Sequence, residues 1–159
     1  MGIEIERKFL VKNDAWKKHA VKSLKIAQGY LSTDPERTVR IRIAGADSLI
    51  TIKGAAGKDS IATPEFEYQI PPKDADTLLP LCLPGTIKKT RHFVPHHGHE
   101  WVIDVFEDDN AGLIVAEIEL KAENENFAKP EWLDDEVTHD PRYKNSALSQ
   151  KPFKMWLYS

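Results

Sequence analysis

Apolar and polar residues alternate with period two in eight stretches of the chain: IEIERKFLV (3–11), SLKIAQGYLS (23–32), TVRIRIA (38–44), SLITIKG (48–54), PEFEYQI (64–70), TIKKTRHFVP (86–95), EWVIDVFED (100–108) and LIVAEIEL (113–120). Successive strand side chains point to opposite faces, so each stretch predicts a strand with one apolar and one polar face. Turn formers separate them, at Asp34-Pro35, Ala44-Gly45-Ala46-Asp47, Gly54 through Asp59, His97-Gly98-His99 and Asp108 through Gly112. Consecutive antiparallel hairpins follow. Helical punctuation is sparser. Asn13-Asp14 predicts a short helix through His19, and Pro71-Pro72-Lys73-Asp74 predicts one through Leu79 before Pro80. Residues 134–139 and 145–151 read as short C-terminal helices, the last with Ala147 and Leu148 as apolar contacts. The predicted class is mainly β (α+β): eight antiparallel strands, enough to close a barrel, with a few short helices outside it and at the C-terminus.

Composition narrows this picture. A chain of 159 residues fits one domain, 1–159, and 41% apolar content with 30% charged residues argues against disorder. Lys and Arg number 22 against 25 Asp and Glu, a net charge of −3, which predicts no general nucleic-acid surface. Cys82 is the single cysteine, so no intrachain disulfide, thiolate cluster or CxxC motif can form. With no apolar run of signal-peptide or membrane-spanning length, the expectation is a cytoplasmic protein without a membrane partner. A homodimer is compatible with the chain, but the alternation singles out no exposed apolar patch to form one.

The charges then change the reading of the polar faces. One face carries Glu4, Glu6 and Lys8 in the first strand, Arg40 and Arg42 in the third, Thr51 and Lys53 in the fourth, and Glu65, Glu67 and Gln69 in the fifth. Lys89 and Arg91, Asp104 with Phe106, and Glu117 with Glu119 continue the series, whereas Arg7 and Lys88 fall on the opposite parity. Solvated faces intersperse both signs, yet here whole strands carry only acids (65/67 and 117/119) or only bases (40/42 and 89/91). Like charges two residues apart repel, and an oppositely charged ligand between them removes the conflict. Inside a closed barrel, paired carboxylates suit Mg²⁺ or Mn²⁺, and clustered Arg and Lys suit phosphate oxygens. Together they describe a polyphosphate bound with divalent metal in a tunnel. The competing reading is a lumen whose acids and bases pair only with each other, and the cost of burying so many ions for stability alone weighs against it.

These residues resemble the CYTH domain, or triphosphate tunnel metalloenzyme, superfamily. The resemblance rests on Glu4-Ile5-Glu6-Arg7-Lys8 as Glu-x-Glu-x-Lys, then Arg40-x-Arg42, Thr51-x-Lys53, Glu65-x-Glu67, Lys89-x-Arg91, Asp104-x-Phe106 and Glu117-x-Glu119 in order, spanning nearly the whole chain. The compact length, Gln28-Gly29-Tyr30-Leu31 and the run Arg142 through Leu148 are most similar to the small bacterial tripolyphosphatases, in which a terminal helix closes one side of the tunnel. The resemblance implies an eight-stranded antiparallel tunnel and divalent-metal-dependent hydrolysis of a small-molecule triphosphate, with inorganic tripolyphosphate the first choice. Nucleoside or thiamine triphosphate hydrolysis, adenylyl cyclase chemistry and a non-catalytic polyphosphate-binding module are the alternatives.

The resemblance also implies roles. Glu4, Glu6 and Glu119, then Glu117 and Asp104, are the expected metal ligands. Arg40, Arg42, Lys53, Lys89 and Arg91, joined by Lys8, are expected to hold the phosphates. Glu65 or Glu67 is the candidate to handle the attacking water, Asp104 to orient a water or a lysine, and Tyr30 to hydrogen-bond a phosphate or an acid unless it is a packing tyrosine. His96, His97 and His99 read as a solvated hairpin tip with no acid pairing, and Trp16, Trp101, Trp132 and Trp156 as packing residues.

Overall fold

The computed structural model describes residues 2–158. Its strands are β1 (Gly2–Val11), β2 (Lys22–Ser32), β3 (Thr38–Ala44), β4 (Asp47–Lys53), β5 (Ala62–Gln69), β6 (Ile87–His96), β7 (His99–Phe106), β8 (Ile114–Glu119) and β9 (Leu133–Glu136). The first eight coincide with the eight alternating stretches. They close in the order β1-β8-β7-β6-β2-β3-β4-β5 and back to β1, every pair antiparallel. Closure pairs every one of these eight strands on both sides and leaves only staggered ends open, among them β1 beyond Ile5. Helix α1 (Pro72–Leu78) and a 3-10 turn at Leu79–Leu81 lie outside, α2 (Asn145–Gln150) follows the last strand, and Ala15–His19 forms a 3-10 turn rather than an α-helix.

The segment predicted as a helix over 134–139 is instead β9 and the turn after it. The reason is a free edge. β5 pairs with β1 only through Ile5, so from Phe9 to Val11 the same edge of β1 is open, and Leu133–Glu136 takes it. The Val137 amide then donates to the Lys8 carbonyl at 2.8 Å. Local helix signals lose to a template whose backbone groups have no other partner.

The barrel is apolar outside and charged within. Outer side chains Phe9, Val94, Trp101, Ile103, Ala116 and Ile118 form a buried cluster with Trp16, Leu120, Trp132 and Leu133, supplied by the first 3-10 turn and the chain before β9. Trp16, Trp101 and Trp132 are thus packing residues, as expected. Gly29 faces outward on β2, where a Cβ would stand 2.9 Å from the Cys82 Cβ, so only glycine lets the segment after α1 lie flat against that strand. Arg7 also points outward, but it pairs with Glu136 at 2.9 Å and donates to the Glu123 carbonyl instead of extending into solvent. One outer face has no cover: Ile3, Ile52, Phe66 and Tyr68 on β1, β4 and β5 are 43–57% exposed, an apolar patch that alternation alone did not reveal.

At one end the interior turns apolar. Ile87, Phe106, Val115 and Leu113 meet the fully buried Leu148 of α2, which seats that helix as a stopper. Gly85 permits the close approach: its φ is +106°, and a Cβ there would lie 1.8 Å from the Ser149 carbonyl oxygen. Among the described residues no helix is long and apolar enough to cross a membrane. Leu148→Ala is expected to lower unfolding free energy by about 2–5 kcal/mol in a urea titration, because the cavity left under α2 has no neighbour free to fill it.

Candidate active site

The strand registers decide which side chains share a level. Glu6 faces Glu119 and Lys8 faces Glu117 across β1 and β8, Thr51 faces Glu67 and Lys53 faces Glu65 across β4 and β5, and Arg91 faces Asp104 across β6 and β7. Tyr30 lies opposite Arg40 and Gln28 opposite Arg42 on β2 and β3. Inward parity brings Glu4, Glu6, Lys8, Tyr30, Arg40, Arg42, Lys53, Glu65, Glu67, Lys89, Arg91, Glu117 and Glu119 onto one cavity of about 760 Å³. Asp104 does not line it. It lies behind Lys89 and Arg91, fully buried.

That placement gives Asp104 a supporting position. Its carboxylate accepts from Lys89 Nζ at 2.7 Å and from Arg91 Nε and Nη2 at 2.8 and 2.9 Å. Burial opposes its charge, but Lys89 and Arg91 more than reverse this and lower its pKa. The same contacts raise Arg91 against burial. Arg42 has no carboxylate among its hydrogen-bond partners. Its Nε donates to Gln28 Oε1 at 2.8 Å, and burial, with Arg40 and Arg91 nearby, lowers it to about 10. Arg40 reaches Thr51 at 3.0 Å and Glu67 at 3.3 Å, while its buried Nε has no acceptor among the described residues.

The acidic wall carries the opposite surplus. Burial, then Glu117 and Glu4, raises Glu6 well above the ordinary carboxyl range; Glu117 is held well below it, against burial, by Lys8, the hydrogen bond from Glu6, Arg91 and Lys89. The groups around them thus push the proton affinities of Glu6 and Glu117 in opposite directions. Burial and Glu4 likewise raise Glu65 and Glu119. Lys53 binds Glu4 at 2.6 Å and Glu65 at 3.4 Å, and these acids with Glu6 raise it against burial.

Three features escaped the sequence. Gln28 is fully buried and joins Arg42, Tyr30 and Asn145. Asn145 Oδ1 accepts from Lys89 Nζ at 3.0 Å, so the helix that stops the barrel also touches the cation cluster. The runs containing Gln28 and Asn145 were noted for resemblance, but alternation marks charges and passes over amides. His99 was expected to lack an acid, yet its Nε2 lies 2.6 Å from Glu125 Oε2. That acid comes from the segment covering the outer core, a contact no local pattern shows. His96 and His97 stack on each other at the turn. Tyr30 is buried, its hydroxyl accepting from Gln28 Nε2 at 3.0 Å, and it also lines the cavity.

The model of the CYTH domain family matches residues 2–150. The chain belongs to the CYTH family. CYTH relatives include a protein of Acetivibrio thermocellus named inorganic triphosphatase, 43% identical over 97% of both chains. Another of the same name, from Nitrosomonas europaea, is 35% identical over 92% of this chain and 96% of its own. A crystal structure described as an inorganic triphosphatase superposes with a TM-score of 0.66 at 32% identity, covering 92% and 93% of the two chains. A protein of Pyrococcus horikoshii, 21% identical with a TM-score of 0.61 over 76% and 80%, shares the fold.

CYTH membership carries divalent-metal dependence, and the donor chemistry here fits a hard cation. Among the described residues no three carboxylates already stand in a coordinating array, since Glu4 turns to Lys53 and Glu117 to Arg91. Yet Glu6, Glu4 and Glu117 repel one another on this wall, a repulsion that a divalent charge would remove.

Lys89 supplies a measurable consequence. Burial, with Arg91 and Arg42, lowers it to about 7 despite Asp104. The folded protein then releases this proton near pH 7, whereas the unfolded chain keeps it to about 10.5. The cost to stability is full below pH 7 and fades as pH rises toward 10.5. Lysine Cε NMR should show one side chain titrating near 7, absent in Lys89→Met, and the rise of stability from pH 7 to 10 should flatten in that variant.

Proposed function

We propose that the protein hydrolyses inorganic tripolyphosphate to pyrophosphate and orthophosphate with Mg²⁺ or Mn²⁺. The observation that carries this is incomplete internal pairing around a real cavity. A purely structural ion network would close on itself at interior packing density. Among the described residues Arg42 hydrogen-bonds no carboxylate, buried Arg40 Nε has no acceptor, and Glu6 is crowded by Glu117 and Glu4.

Arg40, Arg42, Lys53, Lys89 and Arg91, with Lys8, are suited to hold the phosphates and to neutralise charge as the bridging bond breaks. Glu4, Glu6, Glu117 and Glu119 are the acids for the cation, which when bound supplies Lewis-acid polarisation and acidifies water. Glu65 and Glu67 stand on the same wall as candidates to orient the attacking water. Asp104 keeps Lys89 and Arg91 aimed inward, and Tyr30 restrains Gln28 beside Arg42. An inorganic substrate is favoured over a nucleotide or thiamine ester because Tyr30 is the cavity's only Phe, Tyr or Trp among the described residues.

Purified protein supplied with Mg²⁺ or Mn²⁺ is expected to release orthophosphate faster from tripolyphosphate than from ATP or thiamine triphosphate; faster release from either ester overturns the assignment. Glu6→Gln and Glu119→Gln should each lower kcat by about 10²-fold, and unchanged turnover would remove these acids from the metal site. Arg42→Ala should lower kcat/KM by a similar factor while leaving metal binding, measured calorimetrically, intact.

A further inference from the structure

The chain after β9 crosses from one wall of the barrel to the other. It leaves β1 through the Val137 amide on the Lys8 carbonyl and the Thr138 hydroxyl accepting from the Lys8 amide at 3.0 Å. It returns to the wall at Tyr143, whose carbonyl lies 3.5 Å from Lys8 Nζ, and at Asn145, which accepts from Lys89. Lys144 is held between those two anchors and lines the cavity.

Its electrostatic surroundings are unusual for a solvent-accessible lysine. Among the described residues it makes no ion pair with any acid. The charged groups that act on it are Lys8 and Lys53, which with burial lower its pKa. Lys53 has Glu4 and Glu65 to offset its charge, but Lys144 has no such partner. A cation fixed by its neighbours in the chain, facing a cavity and two further cations, gains most from an anion placed among the three.

We propose that Lys144 is a substrate-binding residue that contributes a phosphate contact from the C-terminal segment, completing with Lys8 and Lys53 a cationic subsite apart from the Arg40–Arg42–Arg91 cluster. The bound anion then bridges Lys144, already anchored on the barrel, to strands β1 and β4. The inference rests on the triphosphatase reading, and a binding measurement separates the two.

Lys144→Met and Lys144→Arg are compared with the wild type in orthophosphate release from tripolyphosphate with Mg²⁺ and in calorimetric titration with tripolyphosphate in metal-free buffer. Lys144→Met is expected to raise KM and weaken binding about tenfold with kcat within about twofold, and Lys144→Arg to restore both, with equal melting temperatures throughout. The salt dependence of binding should also become shallower in Lys144→Met. A KM and affinity within twofold of wild type in Lys144→Met, or an Arg variant as weak as the Met variant, overturns the proposal. If the wild type binds tripolyphosphate but does not cleave it, the triphosphatase reading fails while the titration still decides the role of Lys144; if it does not bind, both fail.

Discussion

A carboxylate cut off from solvent organises this molecule. Asp104 is fully buried and holds both Lys89 and Arg91, while Arg42 and Arg40 stand close by with few acids of their own. Without that charge, the basic wall would be a set of cations in a confined space. Removing one member of such a buried group typically costs about 3–5 kcal/mol, because the others are left uncompensated. Asp104 therefore lets a cation cluster exist before any substrate arrives, and its position behind the cavity keeps it from competing for the anion. The amides Gln28 and Asn145 extend this arrangement by accepting from Arg42 and Lys89 without adding negative charge.

The barrel makes that arrangement affordable by dividing its interior into levels. Near α2 the inward residues are Ile87, Phe106 and Val115, closed by Leu148, and above them come the charges. Apolar burial that a globular domain usually places at its centre is split here between this stopper and the outer cluster around Trp101. The outer cluster needs covering chain, which explains why the turn at Ala15–His19 and the stretch before β9 wrap the β1-β8-β7-β6 side. The opposite side, at Ile52, Phe66 and Tyr68, lacks that wrap and remains exposed.

The two charged walls are complementary in what each lacks. Burial among acids pushes Glu6 well above the ordinary carboxyl range, and burial among cations lowers Lys89 to about 7. A phosphate chain with a divalent cation, the ligand proposed above, would relieve the crowding on both walls at once. The cations of the basic wall are oriented in folding, whereas Glu4 and Glu117, turned to Lys53 and Arg91, must swing to meet a cation.

Alternation by itself determined the eight strands and the parity of every charged site residue, because a strand's two faces are set by chain geometry whatever lies around it. It could not say which face was the inside. That was decided by closure of β5 onto β1, which turned the charged faces inward and the apolar ones out. Contacts between distant segments also lay beyond it: Leu133–Glu136 became a strand only because β1 offered an open edge, His99 met Glu125 across the outer core, and Asn145 reached Lys89 through the seating of Leu148. Local pattern carries propensity and parity, whereas hydrogen-bond partners and the shifts in proton affinity depend on which side chains tertiary packing brings within a few ångströms.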